Sequence, residues 1–195
     1  MSEIKSAWEI AMERTRDVAP DKEALEANTY ATEGKKAASK FFADEEVDLK
    51  KLLASFTAAQ LVHVREGLLE ALLANLKLPA DDPALKQSRR AGEGLHAVVR
   101  DEKRLDKLLN QMQQFLGEFL EERGRLIQAV EQQYEPILRR KEEELAKQMG
   151  ARVKLDPAMD PEYNKILRQN IAQLEERYNQ VLDQVKTEIR RMAEG

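Results

Sequence analysis

The chain has 195 residues, of which 42% are hydrophobic, 35% charged and 5% aromatic, and its acidic and basic side chains nearly cancel at a net charge of −4. It contains no cysteine, which excludes disulfide frameworks, cysteine-ligated metals and thiol nucleophiles. Only 8 glycines and 6 prolines are present, and so few turn-forming residues argue against a turn-rich β fold. The composition is typical of long amphipathic helices and predicts an all-α fold.

The chain shows no apolar run long enough to span a membrane, because charged residues interrupt its most apolar stretch, residues 61–78. Its opening residues carry mixed charge and lack the continuous apolar core of a signal peptide. The near-neutral charge balance offers no general attraction to nucleic acid or anionic lipid. We therefore expect a soluble, cytoplasmic protein that binds no membrane.

The first two predicted helices lie on either side of Pro20. Before it, Ile4, Trp8 and Met12 recur at helical spacing and predict a docking helix. Because so short a helix is marginal in water, its apolar face is expected to pack on the protein's own body, on a second copy or on a partner. After Pro20, a second helix is expected to run to about Ala43.

The most apolar helix is predicted to follow Thr57, which has the form of a capping box with Gln60. Its leucine-rich stripe continues until Pro79, where we expect the helix to stop. The interpretation of residues 1–78 is therefore an N-terminal helical region.

Two long helices are predicted in residues 79–195. Asp82 followed by Pro83 is a helix start, and apart from residues 92–94 and Pro136 no turn signal follows before Gly150, a natural C-cap. We expect one helix over residues 95–149, with the effect of the two glycines at 92 and 94 left open. A second Asp-Pro start at residues 160–161 opens the final helix, so the simplest arrangement is an antiparallel coiled-coil hairpin within an elongated helical bundle.

The apolar positions of both helices recur at alternating spacings of three and four residues, which is typical of a coiled-coil seam. On the first helix the seam consists of Val98, Leu105, Leu109, Met112, Leu116, Phe119, Leu126, Val130 and Ile137. On the final helix it consists of Leu174, Tyr178, Val181 and Val185. Because the first predicted helix is longer than the second, its excess is expected to pack on residues 1–78 or on another chain.

Two polar groups offer alternatives to a purely structural role. Glu93 and His96 have the Glu-x-x-His spacing of a ferritin-like metal site, but the second such motif that a di-iron centre needs is missing. A helix-packing histidine explains the pair better, so no cofactor is expected. The basic residues Lys86, Arg89, Arg90 and Arg100 lack the aromatic platforms typical of nucleic-acid sites. A solvated helix face is the favoured interpretation of that patch.

The opening residues Ser2 to Thr15, SEIKSAWEIAMERT, resemble the start of a group of small uncharacterised bacterial helical proteins. The resemblance implies a bacterial cytosolic protein and brings no catalytic residues with it. It covers only those residues.

These observations favour a non-enzymatic protein that self-assembles through its coiled-coil seam, with a dimer favoured. A partner adaptor or assembly chaperone is the first alternative, because apolar stripes on residues 1–56 would suit an unknown protein partner. A ferritin-like metal-binding protein using Glu93 and His96 is the second, and nucleic-acid binding through the basic patch is the third.

Overall fold

The computed structural model describes residues Lys22–Glu194, and every regular element in that range is helical. This confirms the predicted all-α fold. The helices are α1 (Lys22–Ala43), α2 (Leu49–Leu53), α3 (Ala58–Asn75), α4 (Asp82–Gly94), α5 (Glu102–Met149) and α6 (Pro161–Glu194), with short 3-10 turns at Leu95–Ala97 and Pro157–Met159. None of the described helices is long and apolar enough to cross a membrane. The predicted docking helix with Ile4, Trp8 and Met12 lies outside the described residues.

The chain forms two compact units, which divide between Ala71 and Leu72. In the first unit α1 and α3 cross in direct backbone contact. A Cβ atom added to Gly34 would lie 2.0 Å from the carbonyl oxygen of Val64, and one added to Gly67 would lie 1.9 Å from that of Ala31. Only glycine allows two helix backbones to approach so closely, so these two residues set the crossing point.

Local capping chemistry accounts for several helix ends. The second predicted helix is confirmed as α1, and the capping box at the start of α3 is confirmed in part, because the side chain of Gln60 accepts a hydrogen bond from the backbone N–H of Thr57 at 3.0 Å. Gly150 ends α5 in the left-handed conformation at φ 67°, as predicted. The predicted stop of α3 at Pro79 is wrong, since the helix ends at Asn75.

The predicted start of the long helix at residue 95 is wrong. Helix α4 gives way to the 3-10 turn after Gly94, and α5 begins only after Asp101, whose side chain accepts a hydrogen bond from the backbone N–H of Arg104 at 3.1 Å. Val98 therefore lies in the connection and not on the seam helix, although it is buried. The heptad spacing predicted a helix at Val98 because a buried turn can place an apolar residue at the same interval as a buried helix. Similarly, Asp81 and not Asp82 caps α4.

Helices α5 and α6 run antiparallel in the second unit. Arg104 near the start of α5 pairs with Glu188 near the end of α6, and Lys141 near the end of α5 pairs with Asp160 just before α6. Helix α5 has 48 residues and α6 has 34, which correspond to lengths of about 72 and 51 Å at 1.5 Å per residue.

Helix α4 packs on the first half of α5, where Leu109 lies beside Gly92. Pro136 is accommodated inside α5, which continues through it.

Candidate functional site

A polar cluster joins α5 to the start of α6 at the end of the hairpin, and we call it the hairpin clamp. The ammonium of Lys141 donates hydrogen bonds to Asp160 at 2.7 Å, to Glu162 at 3.0 Å and to the hydroxyl of Tyr134 at 2.8 Å. The ring of Tyr134 lies 5.4 Å from that of Tyr163, and both residues are buried. Val130 completes the apolar layer beneath the cluster.

The electrostatics of the hairpin clamp suit a structural role. The hydrogen bond from Lys141 holds the pKa of the Asp160 carboxyl below its usual value, and it does the same for the pKa of Glu162. The hydrogen bond to Asp160 in turn raises the pKa of the Lys141 ammonium. Burial raises the pKa of the Tyr134 phenol. Each group is therefore held in its ordinary ionisation state near neutral pH, whereas a general acid or base needs a pKa near the working pH.

Sequence reasoning missed the hairpin clamp. The Asp-Pro pattern predicts Asp160 only as a helix start, and its Oδ1 does accept a hydrogen bond from the backbone N–H of Glu162 at 2.9 Å. The pattern around Lys141 indicates no more than a run of surface charge. The available signal was the antiparallel arrangement itself, which brings the last turns of α5 beside the first turn of α6.

The predicted seam residues fall into two sets in the structure. One set is buried and comprises Val98, Leu105, Leu109, Met112, Leu116, Phe119, Val130 and Leu174. The other set is half-buried or exposed and comprises Leu126, Ile137, Tyr178, Val181 and Val185. Leu182 and Ile189, which sequence reasoning left out, are buried on α6 instead. Part of the apolar stripe on α5 and α6 is therefore left exposed within a single chain.

Two ion pairs mark one open side of the groove between α5 and α6. Arg104 pairs with Glu188 at one end, and Arg177 pairs with Glu122 at 3.0 Å at the other. Glu122 also accepts a hydrogen bond from the hydroxyl of Tyr178 at 2.7 Å, which lowers the pKa of Glu122 and raises that of Tyr178. These contacts hold α6 against α5 at two positions along the helices.

Apolar side chains lie between these two ion pairs. The ring of Phe115 is 4.8 Å from that of Tyr178, and both residues are half-buried. Val181 follows Tyr178 on the same side of α6 and is 42% exposed. Val185 and Leu108, both half-buried, extend the patch along α6 and α5. We call these five residues and the two ion pairs the framed face.

A shallow cavity of about 380 Å³ opens beside the hairpin clamp, lined by Glu131, Gln132, Tyr134, Glu135, Leu138 and Pro157. Each of its two carboxylates has a partner nearby. Glu135 binds Arg139 at 2.5 Å, and the pKa of Tyr163, raised mainly by burial, is raised further by the charge of Glu131. The cavity offers carboxylate acceptors and an aromatic wall.

The structure does not bring the candidate metal ligands together. Glu93 pairs with Arg90 at 3.3 Å, and the Nε2 atom of His96 lies 3.4 Å from Asp106. Within residues 22–194 no three histidine, aspartate or glutamate side chains are grouped to hold a metal ion. Both members of the Glu-x-x-His spacing therefore contact a neighbouring charge instead of each other.

The predicted basic patch lies on and just after α4. Lys86, Arg89 and Arg100 are exposed, and Arg90 is half-buried beside Glu93. Helix α4 contains no aromatic residue on which a base could stack. The patch therefore presents charge to solvent without the second feature that nucleic-acid sites usually have.

Comparison with known proteins gives a family match that includes parts of both units. A family model, described as a family of unknown function (DUF6657), matches residues 50–191. No curated protein and no solved structure matches the chain. The matched range leaves out residues 2–15, so the resemblance of the opening residues stays a prediction.

Proposed function

We propose that this chain, which belongs to the DUF6657 family, is a non-enzymatic structural protein that self-assembles through its α5–α6 hairpin. One observation carries the proposal: the apolar stripe of the hairpin extends onto solvent, with Ile137 37% and Val181 42% exposed. Large apolar side chains in line with a buried seam gain free energy when another surface covers them. A dimer is the simplest assembly that would cover them.

The seam residues that are buried within one chain indicate which part of the hairpin would be left for self-assembly. Leu105, Leu116 and Phe119 are already at most 1% exposed within one chain. The hairpin core is therefore complete without a second copy, and self-assembly would add an outer contact to it. This favours subunits that fold first and associate afterwards. We place this assembly in the bacterial cytoplasm, as the resemblance of the opening residues implies.

Light scattering combined with size-exclusion chromatography tests the proposal on the full chain. We expect a mass above the 22.3 kDa of one chain, with dissociation on dilution. A compact monomer over about a hundredfold range of concentration would contradict self-assembly, because association depends on concentration by mass action.

An adaptor or assembly chaperone is a second candidate, favoured by exposed apolar residues in the first unit. Leu25 on α1 is 60% exposed and Val62 on α3 is 64% exposed. A client protein would cover these residues, whereas self-assembly through the hairpin does not involve them. Substitution of both by serine should abolish capture of a client and leave the mass of the purified protein unchanged.

A further inference from the structure

The charges of the framed face are arranged so that the face is complementary to a second copy of itself. On α5 it places a positive charge at one end, Arg104, and a negative charge at the other, Glu122. On α6 the order is reversed, with Glu188 beside Arg104 and Arg177 beside Glu122. The four charges stand at the corners of the apolar patch of Leu108, Phe115, Tyr178, Val181 and Val185.

For these four charges, a second copy turned onto this face by a two-fold axis along or across the helices meets an opposite charge at every corner. Arg191, which also pairs with Glu188 at 3.7 Å, adds a positive charge beside one of them. If the axis runs along the helices, Arg104 faces Glu188 of the second copy and Glu122 faces its Arg177. If the axis runs across the helices, Arg104 faces Glu122 of the second copy and Glu188 faces its Arg177. Both two-fold arrangements are therefore electrostatically favourable, and contacts related by a two-fold axis are the usual form of homodimer interface.

From this match we infer that the framed face binds the framed face of a second copy of the chain. The inference rests on the proposed self-assembly and names the surface that carries it. Covering Val181 and the exposed parts of Phe115 and Tyr178 supplies the apolar contribution. The four charges lie at the rim, where ion pairs add little affinity but disfavour a partner whose charges do not match.

The first test compares two exposed valines by sedimentation velocity of the full chain. Val181→Glu places a charge in the middle of the framed face and should raise the dimer dissociation constant at least about tenfold. Val62→Glu, at a more exposed valine of α3, should leave the constant unchanged. A monomeric wild type overturns the proposed function and this inference together. A wild-type dimer that Val181→Glu leaves intact overturns the inference alone.

The absence of cysteine from the chain allows a test by cross-linking that does not depend on a destabilising substitution. Val181→Cys, treated with a short bis-maleimide, should yield covalent dimers, while Val62→Cys should not. Equal dimer yields from the two variants would overturn the inference. So would a monomeric Val181→Cys variant whose new thiol resists maleimide, because the face would then be covered from within the chain.

The sharpest test reverses all four charges at once in a variant carrying Arg104→Glu, Glu122→Arg, Arg177→Glu and Glu188→Arg. This variant keeps both ion pairs between the two helices, loses the contact of Glu188 with Arg191, and still matches itself at the four corners under either two-fold axis. Against the wild type, however, every corner brings like charges together. After denaturation and joint refolding, native mass spectrometry should show both homodimers and a mixed dimer well below half of the total. Mixing in the statistical proportion would overturn the charge match.

Discussion

Helices α1 and α3 pack backbone against backbone, whereas α5 and α6 pack through long side chains. At the first crossing two glycines remove the space a Cβ atom would need, since such an atom on Gly34 would lie 2.0 Å from a carbonyl oxygen. In α5, Gly117 and Gly124 have nothing within 4 Å of that position. Glycine is therefore a geometric requirement at the crossing of α1 and α3, whereas Gly117 and Gly124 of α5 are replaceable.

The difference shows how the two units obtain their stability. A close crossing depends on fixed backbone positions and cannot adjust to added volume. The hairpin depends on buried apolar side chains, with ion pairs at 104–188, 122–177 and 141–160 setting its register. Changes that add volume should therefore be most damaging in the first unit, and changes that add charge most damaging in the second.

The largest expected effect comes from a charge in the hairpin core. Leu116 has no exposed surface, so Leu116→Asp would bury an unpaired carboxylate and should destabilise the protein by more than about 4 kcal/mol. Urea denaturation followed by circular dichroism measures it. Gln128→Asp on the exposed side of α5 serves as the control and should cost less than about 1 kcal/mol. Equal effects of the two changes would show that Leu116 is not in the core.

The next effect tests the glycine crossing. Gly34→Ala or Gly67→Ala should each destabilise the protein by about 3 kcal/mol, because the backbone atoms they meet cannot move aside as a side chain can. Thermal melting of each variant measures the loss. If alanine at either position left the melting temperature unchanged, the close backbone contact would be contradicted.

A smaller, pH-dependent effect is expected at the hairpin clamp. The folded-state pKa values of Asp160 and Glu162 are lowered, so their contribution to stability is present at neutral pH and is lost as the pH falls below about 4. Lys141→Met should lower the melting temperature at neutral pH, and the difference from the wild type should shrink in acid. Lys154→Met, an exposed lysine of the connection, should give a curve parallel to the wild type. A constant difference for Lys141→Met across this range would argue against the carboxylate pairing.

The smallest expected change in stability is at a glycine of the second unit. Gly117→Ala has open space for its methyl group and should stabilise α5 by about 0.5–1 kcal/mol, because alanine loses less backbone entropy in a helix. The same melting experiment measures it. A destabilisation as large as that of Gly34→Ala would remove the distinction between the two units.

Local chemistry explains which parts of the fold could be predicted from sequence. The end of α1 at Ala43, the glycine end of α5 and the Asp-Pro start of α6 each depend on a few neighbouring residues. The start of α5 could not be recognised by spacing, because Val98 fits the heptad and is buried in a turn all the same. Asp101 was the better signal, since its side chain caps the helix directly.

The candidate sites were less predictable because they depend on what covers a residue. The spacing assigned both Leu116 on the first helix and Val181 on the final helix to the seam, yet Leu116 is fully buried and Val181 is 42% exposed. The need for glycine at positions 34 and 67 arises from two helices far apart in sequence. The pairing of Lys141 with Asp160 likewise depends on the register of α5 against α6.

Asp160 uses its two carboxylate oxygens for different tasks, and this has a consequence for folding. Oδ1 caps the first turn of α6 through the N–H of Glu162, while Oδ2 binds Lys141 on α5. Ordering the carboxylate for one bond removes much of the entropy cost of making the other. Nucleation of α6 and its docking onto α5 are therefore thermodynamically coupled, so the hairpin end should open and close as a single cooperative unit.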